Sequence, residues 1–521
     1  MPSRVIGQRP CPIPGCCVVL PRSALIRFPA PFSLAGSMDS DTLDTNSKPS
    51  AEILAIVWVT VLAAVCRIAA LRQPMRYDES VTWAYFVGRP WATIVSQYQF
   101  PNNHVFYSLL AKMTSSLAAW QPWALRLPAA VAGIAIVPLT WAVGRRFADR
   151  DTALLGAALA AASTPLILYS TNARGYSLVV VLFLCMLLCA DRLRELPTTR
   201  GYVLFAALST VGLYTIPVMF YPIAVISVWL ALDAWPRTDR VRRLILLAGS
   251  CVASAVVAGI LYLPIIRTAG VAALAGNKFV APSSWVALAR SLPRFLTDVV
   301  TIWAEPAPAI AALLVALLAI NGMRRDKPSP APSLAWSAII GCVVILVLTR
   351  RAPFVRVWLF LLPMYLLAVA RGVIRITRRV GTRAGRVRGE TPWPVLTIAT
   401  LLAAVSLSTR AAERSDDTGA FPDARRVVDL LAPRMRASDR VLALIPSNGP
   451  LLYYLAERGL DTASLTLPLE RANRAFLVLD ASRGQTIQWA LNSQMIDRDR
   501  FAEPVLIGHS GDAQVWSADR R

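Results

Sequence analysis

Two carboxylates stand side by side at Asp78 and Glu79, in Arg76-Tyr-Asp-Glu-Ser-Val-Thr-Trp83, directly after the first long apolar run of the chain. Adjacent carboxylates at a membrane–water boundary repel unless a cation or a proton relieves them, which raises one pKa toward the range of a general base. Taken alone, the pair reads first as a solvated acidic pair flanking a helix start and second as a base. His104 follows in Pro101-Asn-Asn-His-Val-Phe-Tyr-Ser-Leu-Leu110; with His509 it completes the histidine complement, so a histidine-rich metal cluster is excluded. A site role for His104 and a role in capping a helix or bonding to backbone stand level at this point. Cys11, Cys16, Cys17, Cys66, Cys185, Cys189, Cys251 and Cys342 fall in the N-terminal tail or in apolar runs. They give neither a disulfide framework nor the paired spacing of a zinc site.

The elements that must position these groups are apolar helices. Of 521 residues, 55% are hydrophobic and 16% charged, and the mean hydropathy is +0.51. A soluble domain carries about 25% charged residues, so a single water-soluble globule is excluded. The net charge of +23 then points to cytoplasmic loops of a membrane protein rather than to nucleic acid. Runs at 51–71, 124–143, 152–170, 173–190, 202–216, 217–234, 244–264, 305–322, 333–349, 354–371 and 393–409 predict eleven transmembrane helices. Arg145–Arg150, Arg192–Arg200, Arg237–Arg243, Arg324–Lys327 and Arg371–Arg388 carry twenty Lys and Arg, and alternation puts all five segments on the cytoplasmic side.

Residues 72–119 are then an extracytoplasmic loop, with 104–119 an interfacial or re-entrant helix, and Trp83, Trp91, Trp120 and Trp123 an anchoring aromatic belt. The weak point is 202–234, where two short helices must meet at Tyr214–Pro217. This topology leaves only Asp78, Glu79, Asp298 and Glu305 of the carboxylates between 51 and 409 on the outer side. None lies mid-span, which weighs against a proton-coupled transporter.

Residues 1–50 read as a disordered tail or a mis-assigned start, with Met38 an alternative initiator and no cleaved signal peptide. Residues 51–410 read as the membrane domain and 411–521 as a small, soluble, extracytoplasmic α/β domain. Its strand-like runs are 441–445 and 475–479, a helix falls near 449–458, and a turn at 508–512 precedes Gln514-Val-Trp516. The run Arg378–Arg388 has no interleaved aromatics, so no nucleic-acid partner is expected.

Further motifs follow in order: Ala124-Leu-Arg-Leu-Pro128, Tyr169-Ser-Thr-Asn-Ala-Arg-Gly-Tyr176, and Arg356-Val-Trp-Leu-Phe-Leu-Leu-Pro363. With the Asp-Glu pair and Asn103-His104, this order resembles the polyprenyl-phosphate-sugar-dependent glycosyltransferases of the C-type superfold. That group includes protein O-mannosyltransferases, aminoarabinose transferases acting on lipid A, and the RgtA/B/C/D-like group. The chain departs from the pattern at Val105-Phe106 after His104, at Thr171, and at Trp358 in place of a tyrosine.

The resemblance implies a membrane glycosyltransferase that moves a sugar from a polyprenyl phosphate carrier to an envelope glycan, lipid or protein, with inversion. It places the enzyme in the bacterial inner membrane among membrane lipids, with the active site facing outward. It assigns Asp78 as base, Glu79 as its partner or a metal ligand, and Arg174 and Arg356 as contacts to the donor phosphate. Asn103, His104 and Tyr176 would bind substrate; no cofactor is certain, and a divalent metal at Glu79 and His104 is one option. The competing expectation is a polytopic transporter or lipid flippase.

Overall fold

A computed structural model of the protein describes residues 51–276, 282–324, 333–383, 393–466, 468, 472–493 and 501–521. The N-terminal tail with its three cysteines and the end of the basic run, 384–388, lie outside the described residues. Among those described, seven helices are long and apolar enough to cross a bilayer: Ala51–Ala70, Pro122–Phe147, Tyr176–Glu195, Pro217–Ala234, Arg240–Leu261, Val355–Val380 and Trp393–Arg414. The first shows why such segments need a membrane. Ala55, Ile56, Val59, Ala63, Cys66 and Ala70 recur at helical spacing and pack inward. The opposite face is just as apolar and exposed, with Leu54, Val57, Trp58, Val61 and Ile68, a pattern that only lipid satisfies.

The expected span 152–170 is broken. It forms helices Arg150–Ala162 and Thr164–Ser170, bent by 57°. Pro165 has no N–H for the Ala161 carbonyl four residues back, and its ring crowds that carbonyl. The orphaned oxygen is recovered by Arg67, fully buried in the first span, whose Nη1 donates to Ala161 at 3.0 Å. The runs at 202–216, 305–322 and 333–349 are helices Thr199–Thr215, Ala309–Met323 and Leu334–Thr349 of 17, 15 and 16 residues, short of the roughly 20 that span a bilayer. The chain does break at Ile216–Pro217, before helix Phe220–Ala234. A helix the sequence did not announce, Trp285–Ala304, begins at the Ser284 cap.

The basic connections converge at one end of the bundle. Arg146 pairs with Asp191 and Glu195, and Arg194 with Asp233. Arg378 pairs with Asp149 and Asp151, and Arg375 donates to the Arg324 carbonyl. The other end carries the loop after the first span, as helices Tyr77–Thr82, Trp91–Ser96 and Val105–Ser115 with a π-turn at Trp83–Val87. The last of these, Val105–Ser115, is the short helix expected within 104–119.

After Thr409 come helices Ala424–Leu431 and Asn448–Glu457 and a four-stranded sheet. Its strands are β1 Asp439–Ala443, β2 Arg474–Asp480, β3 Val505–Ser510 and β4 Ala513–Asp519, in the order β1-β2-β4-β3. β1 and β2 run parallel; the other pairs are antiparallel. The two expected strands and the expected helix are at their predicted places. The rings of Trp83 and Trp120 lie 5.0 Å apart and both pack on Tyr453 of helix Asn448–Glu457, at 5.0 and 5.9 Å, joining the loop after the first span to the sheet-bearing segment.

Candidate active site

The Asp-Glu pair is divided by its surroundings. Glu79 is fully buried and each carboxylate oxygen accepts twice: Oε1 from the Arg76 N–H at 2.9 Å and from Arg126 Nη2, Oε2 from Arg126 Nε at 3.0 Å and the Ala173 N–H at 3.1 Å. Arg126 sits in the first turns of helix Pro122–Phe147 and spends its remaining donors on the Leu71, Gln73 and Pro74 carbonyls. The clamp fixes the turn that ends the first span and starts helix Tyr77–Thr82. Glu79 therefore has no free lone pair for a metal or a substrate. It is an anchor, and the role of partner or metal ligand expected for it does not fit its contacts.

Asp78 points the other way. Its Oδ1 accepts from Asn102 Nδ2 at 3.3 Å, and Oδ2 faces Arg174 Nη1 at 3.3 Å with no hydrogen bond of its own. Arg174 lies in the link between helices Thr164–Ser170 and Tyr176–Glu195, where the 57° bend directs the chain. It is 3% exposed, and its Nε has no hydrogen-bond partner.

His104 Nδ1 accepts the Gly175 N–H at 2.8 Å, while Nε2 lies 3.1 Å from Arg174 Nη2. Burial, then the charges of Arg174 and Arg356, push the His104 pKa well below its usual value, so the ring is neutral. With Nδ1 accepting, its proton sits on Nε2, facing a guanidinium N–H. Two donors face one another there, an arrangement an anion between them would satisfy. The approach of His104 to this loop needs Gly175, where a Cβ would stand 2.6 Å from Thr215 and 3.2 Å from His104 Nδ1. Tyr176 stands edge-on to the His104 ring at 5.2 Å, with the Arg174 guanidinium 5.7 Å from its own ring.

Arg356, in the 3₁₀ turn Val355–Leu361, reaches the same place. It stacks on Phe354 at 4.2 Å, its Nη1 donates to Asp417 at 3.3 Å, and its charge acts on Asp78, Tyr169 and Tyr176. Asp417 also accepts from the Tyr169 hydroxyl and caps the Thr418 N–H at 2.9 Å. The chain around it forms a strap. Arg76, 2% exposed, donates to the carbonyls of Ala412, Glu413, Ser415 and Asp417 at 2.7–2.9 Å. The Tyr77 and Asp78 N–H groups donate to Gly419 and Thr418 at 2.9 and 3.2 Å. Burial lowers the Arg76 pKa to about 10, against the raising effect of Glu79.

Asp78, His104, Arg174, Tyr176 and Arg356 thus converge from four separate segments at the end of the bundle opposite the basic connections. Asn103 does not join them. Its Nδ2 donates to the Ile94 and Gln97 carbonyls and its Oδ1 accepts from Ser108, so it shapes the loop. Its neighbour Asn102 makes the contact to Asp78. Asn102, Arg126 and Asp417 were not singled out as site residues, although Arg126 lies in a motif that was. Among the described residues no group of three or more His, Cys, Asp or Glu could hold a metal ion, and with Glu79 saturated and His104 facing donors, the proposed metal pair does not fit.

No family model and no curated protein matches the chain. Solved structures do. The crystal structure of ArnT from Cupriavidus metallidurans in the apo state superposes with a TM-score of 0.56 at 14% identity, over 90% of this chain and 98% of that one. The same protein bound to undecaprenyl phosphate gives 0.57 at 13% identity, over the same shares. At such identity the likeness speaks for architecture, and it runs nearly end to end in both chains: the protein has the fold of ArnT.

Proposed function

We propose that the chain is a membrane glycosyltransferase that moves a sugar from a polyprenyl phosphate carrier to a hydroxyl of an envelope glycan, lipid or protein. The observation that carries this reading is the meeting of the Asp78 carboxylate with the Arg174 and Arg356 guanidiniums and a neutral imidazole, where Arg174 Nε and Nη1 and Arg356 Nε make no hydrogen bond. The undecaprenyl phosphate bound to ArnT supports the class of donor.

The donor phosphate lies between Arg174, Arg356 and His104 Nε2–H. Its arrival draws Arg174 from Asp78 and frees that carboxylate, so base and donor are coupled. Asp78 takes the acceptor hydroxyl proton while the acceptor oxygen bonds to the anomeric carbon from the face opposite the phosphate. The bond from that carbon to the phosphate oxygen breaks, and its electron pair stays on the phosphate, where the two arginines stabilise it. Configuration inverts in a single displacement. Asn102 holds Asp78 Oδ1, leaving Oδ2 toward the acceptor.

The domain division at residue 410, eleven spans, and a bacterial inner membrane location with an extracytoplasmic site belong to the same reading. The gathering of the basic connections at the opposite end supports that orientation. A transporter or flippase is disfavoured because Asp78, His104, Arg174 and Arg356 gather at one end of the bundle.

The test is incubation of the purified protein with labelled polyprenyl-phosphate sugars, following loss of label from the carrier. Asp78→Asn should slow transfer about 100-fold or more at unchanged melting temperature. Release of no sugar from any carrier by the unsubstituted protein, or full activity of Asp78→Asn, overturns the reading.

A further inference from the structure

One acidic side chain in the centre has no place in the transfer step. Asp417 belongs to the strap that leads out of the last span toward the sheet, and it stands on Arg356, one of the two cations reserved for the donor phosphate. Its carboxylate is held on three sides, by Arg356, by the Tyr169 hydroxyl and by the Thr418 N–H. Its main chain is held by Arg76. Glu305, at the end of helix Trp285–Ala304, is the next carboxyl. A negative charge is thus built into the site where a negative ligand must sit.

The chemistry of the reaction gives that charge a purpose. In the donor the phosphate is a diester with one negative charge. After transfer the carrier ends in a monoester, whose charge at neutral pH is about −1.5 to −2. The spent carrier therefore binds the same two arginines more tightly than the donor did, and release becomes the slow event unless something takes its place.

We propose that Asp417 is the internal competitor that expels the spent carrier, exchanging with the carrier phosphate on Arg356 at the end of each turnover. It is a positioning residue and touches neither the reacting carbon nor the acceptor. The exchange breaks no covalent bond: one carboxylate–guanidinium contact replaces one phosphate–guanidinium contact. Because Thr418, next in the chain, accepts the Asp78 N–H, return of Asp417 to Arg356 also re-seats the loop that carries the base.

The inference rests on the donor-phosphate reading of Arg356, and the test separates the two. Asp417→Asn keeps the shape and one oxygen for the Thr418 N–H, presents its NH2 to the Tyr169 hydroxyl, which can accept it, and removes the competing charge. Undecaprenyl phosphate without sugar should bind the purified variant about 10-fold more tightly than it binds the unsubstituted protein. Steady-state turnover should fall by a similar factor while single-turnover transfer is unchanged. A merely structural Asp417 would give weaker or equal binding, and either result overturns the proposal alone. Absence of binding to both proteins, each folded by its melting curve, overturns the phosphate site itself and the proposal with it. If Asp417→Asn does not reach the membrane, Tyr169→Phe provides the opposite sign. It frees one carboxylate oxygen for Arg356, strengthens the competitor, and should weaken carrier binding several-fold; tighter binding there overturns the proposal.

Discussion

Replacing Glu79 by Gln distinguishes an anchor from a catalytic group. The side chain keeps its size, loses its charge, and presents an NH2 group where one carboxylate oxygen stood. Either orientation turns that NH2 toward Arg126 and toward one backbone donor, Arg76 N–H or Ala173 N–H. Both partners are 0% exposed, so solvent does not screen the loss. A buried ion pair broken on one side costs about 3–5 kcal/mol. Arg126 keeps its three carbonyl partners, which favours the lower end, about 3 kcal/mol. For a chain of this size that corresponds to a fall in melting temperature of about 3 °C, read by tryptophan fluorescence in detergent. Activity lost in Glu79→Gln at an unchanged melting temperature would refute the clamp and return Glu79 to the chemistry.

Arg174→Lys should raise the donor concentration for half-maximal transfer about 10-fold, and Arg174→Ala more, because a point charge does not reproduce a planar fork; an arginine merely snorkelling to lipid would tolerate lysine. The His104 pKa lies below its unfolded value near 6.5, so below that pH the unfolded chain takes up a proton that the folded one refuses. Stability should fall as pH drops from about 6.5 toward the folded pKa, by up to about 1.4 kcal/mol per unit, and His104→Gln should flatten the melting temperature over that range. Gly419→Ala should cost more than about 1 kcal/mol and lower turnover, since φ is +76° and the new Cβ would stand 2.6 Å from Tyr77 and 2.8 Å from Pro446; melting and kcat measured together check it.

The meeting of Asp78, His104, Arg174 and Arg356 was legible because each residue sits in a short motif at a helix end, and the motif order limits which ends can meet. What escaped was how each side chain divides its contacts. Glu79 and Asp78 are neighbours, so type and position cannot separate them; only Arg126 and the Ala173 N–H, 47 and 94 residues away, make one an anchor. Asn102 and Asn103 change roles for the same reason, since the turn before helix Val105–Ser115 decides which amide faces Asp78. The bend at Ser163 had a visible cause in Pro165, but 19 apolar residues read as one span when hydropathy alone is counted. Asp417 lies in a polar stretch with no motif, and nothing local announces that it returns to the first loop.

The strap also sets an order of assembly. Arg76 and the Tyr77 and Asp78 N–H groups are made early, and their acceptors, 412–419, emerge more than 300 residues later. During synthesis these donors lack their acceptors, and the loop that carries Asp78 stays unset until the last apolar helix and the segment beyond it have been made. Chains cut off during translation before that point would insert most of their helices yet hold no finished centre.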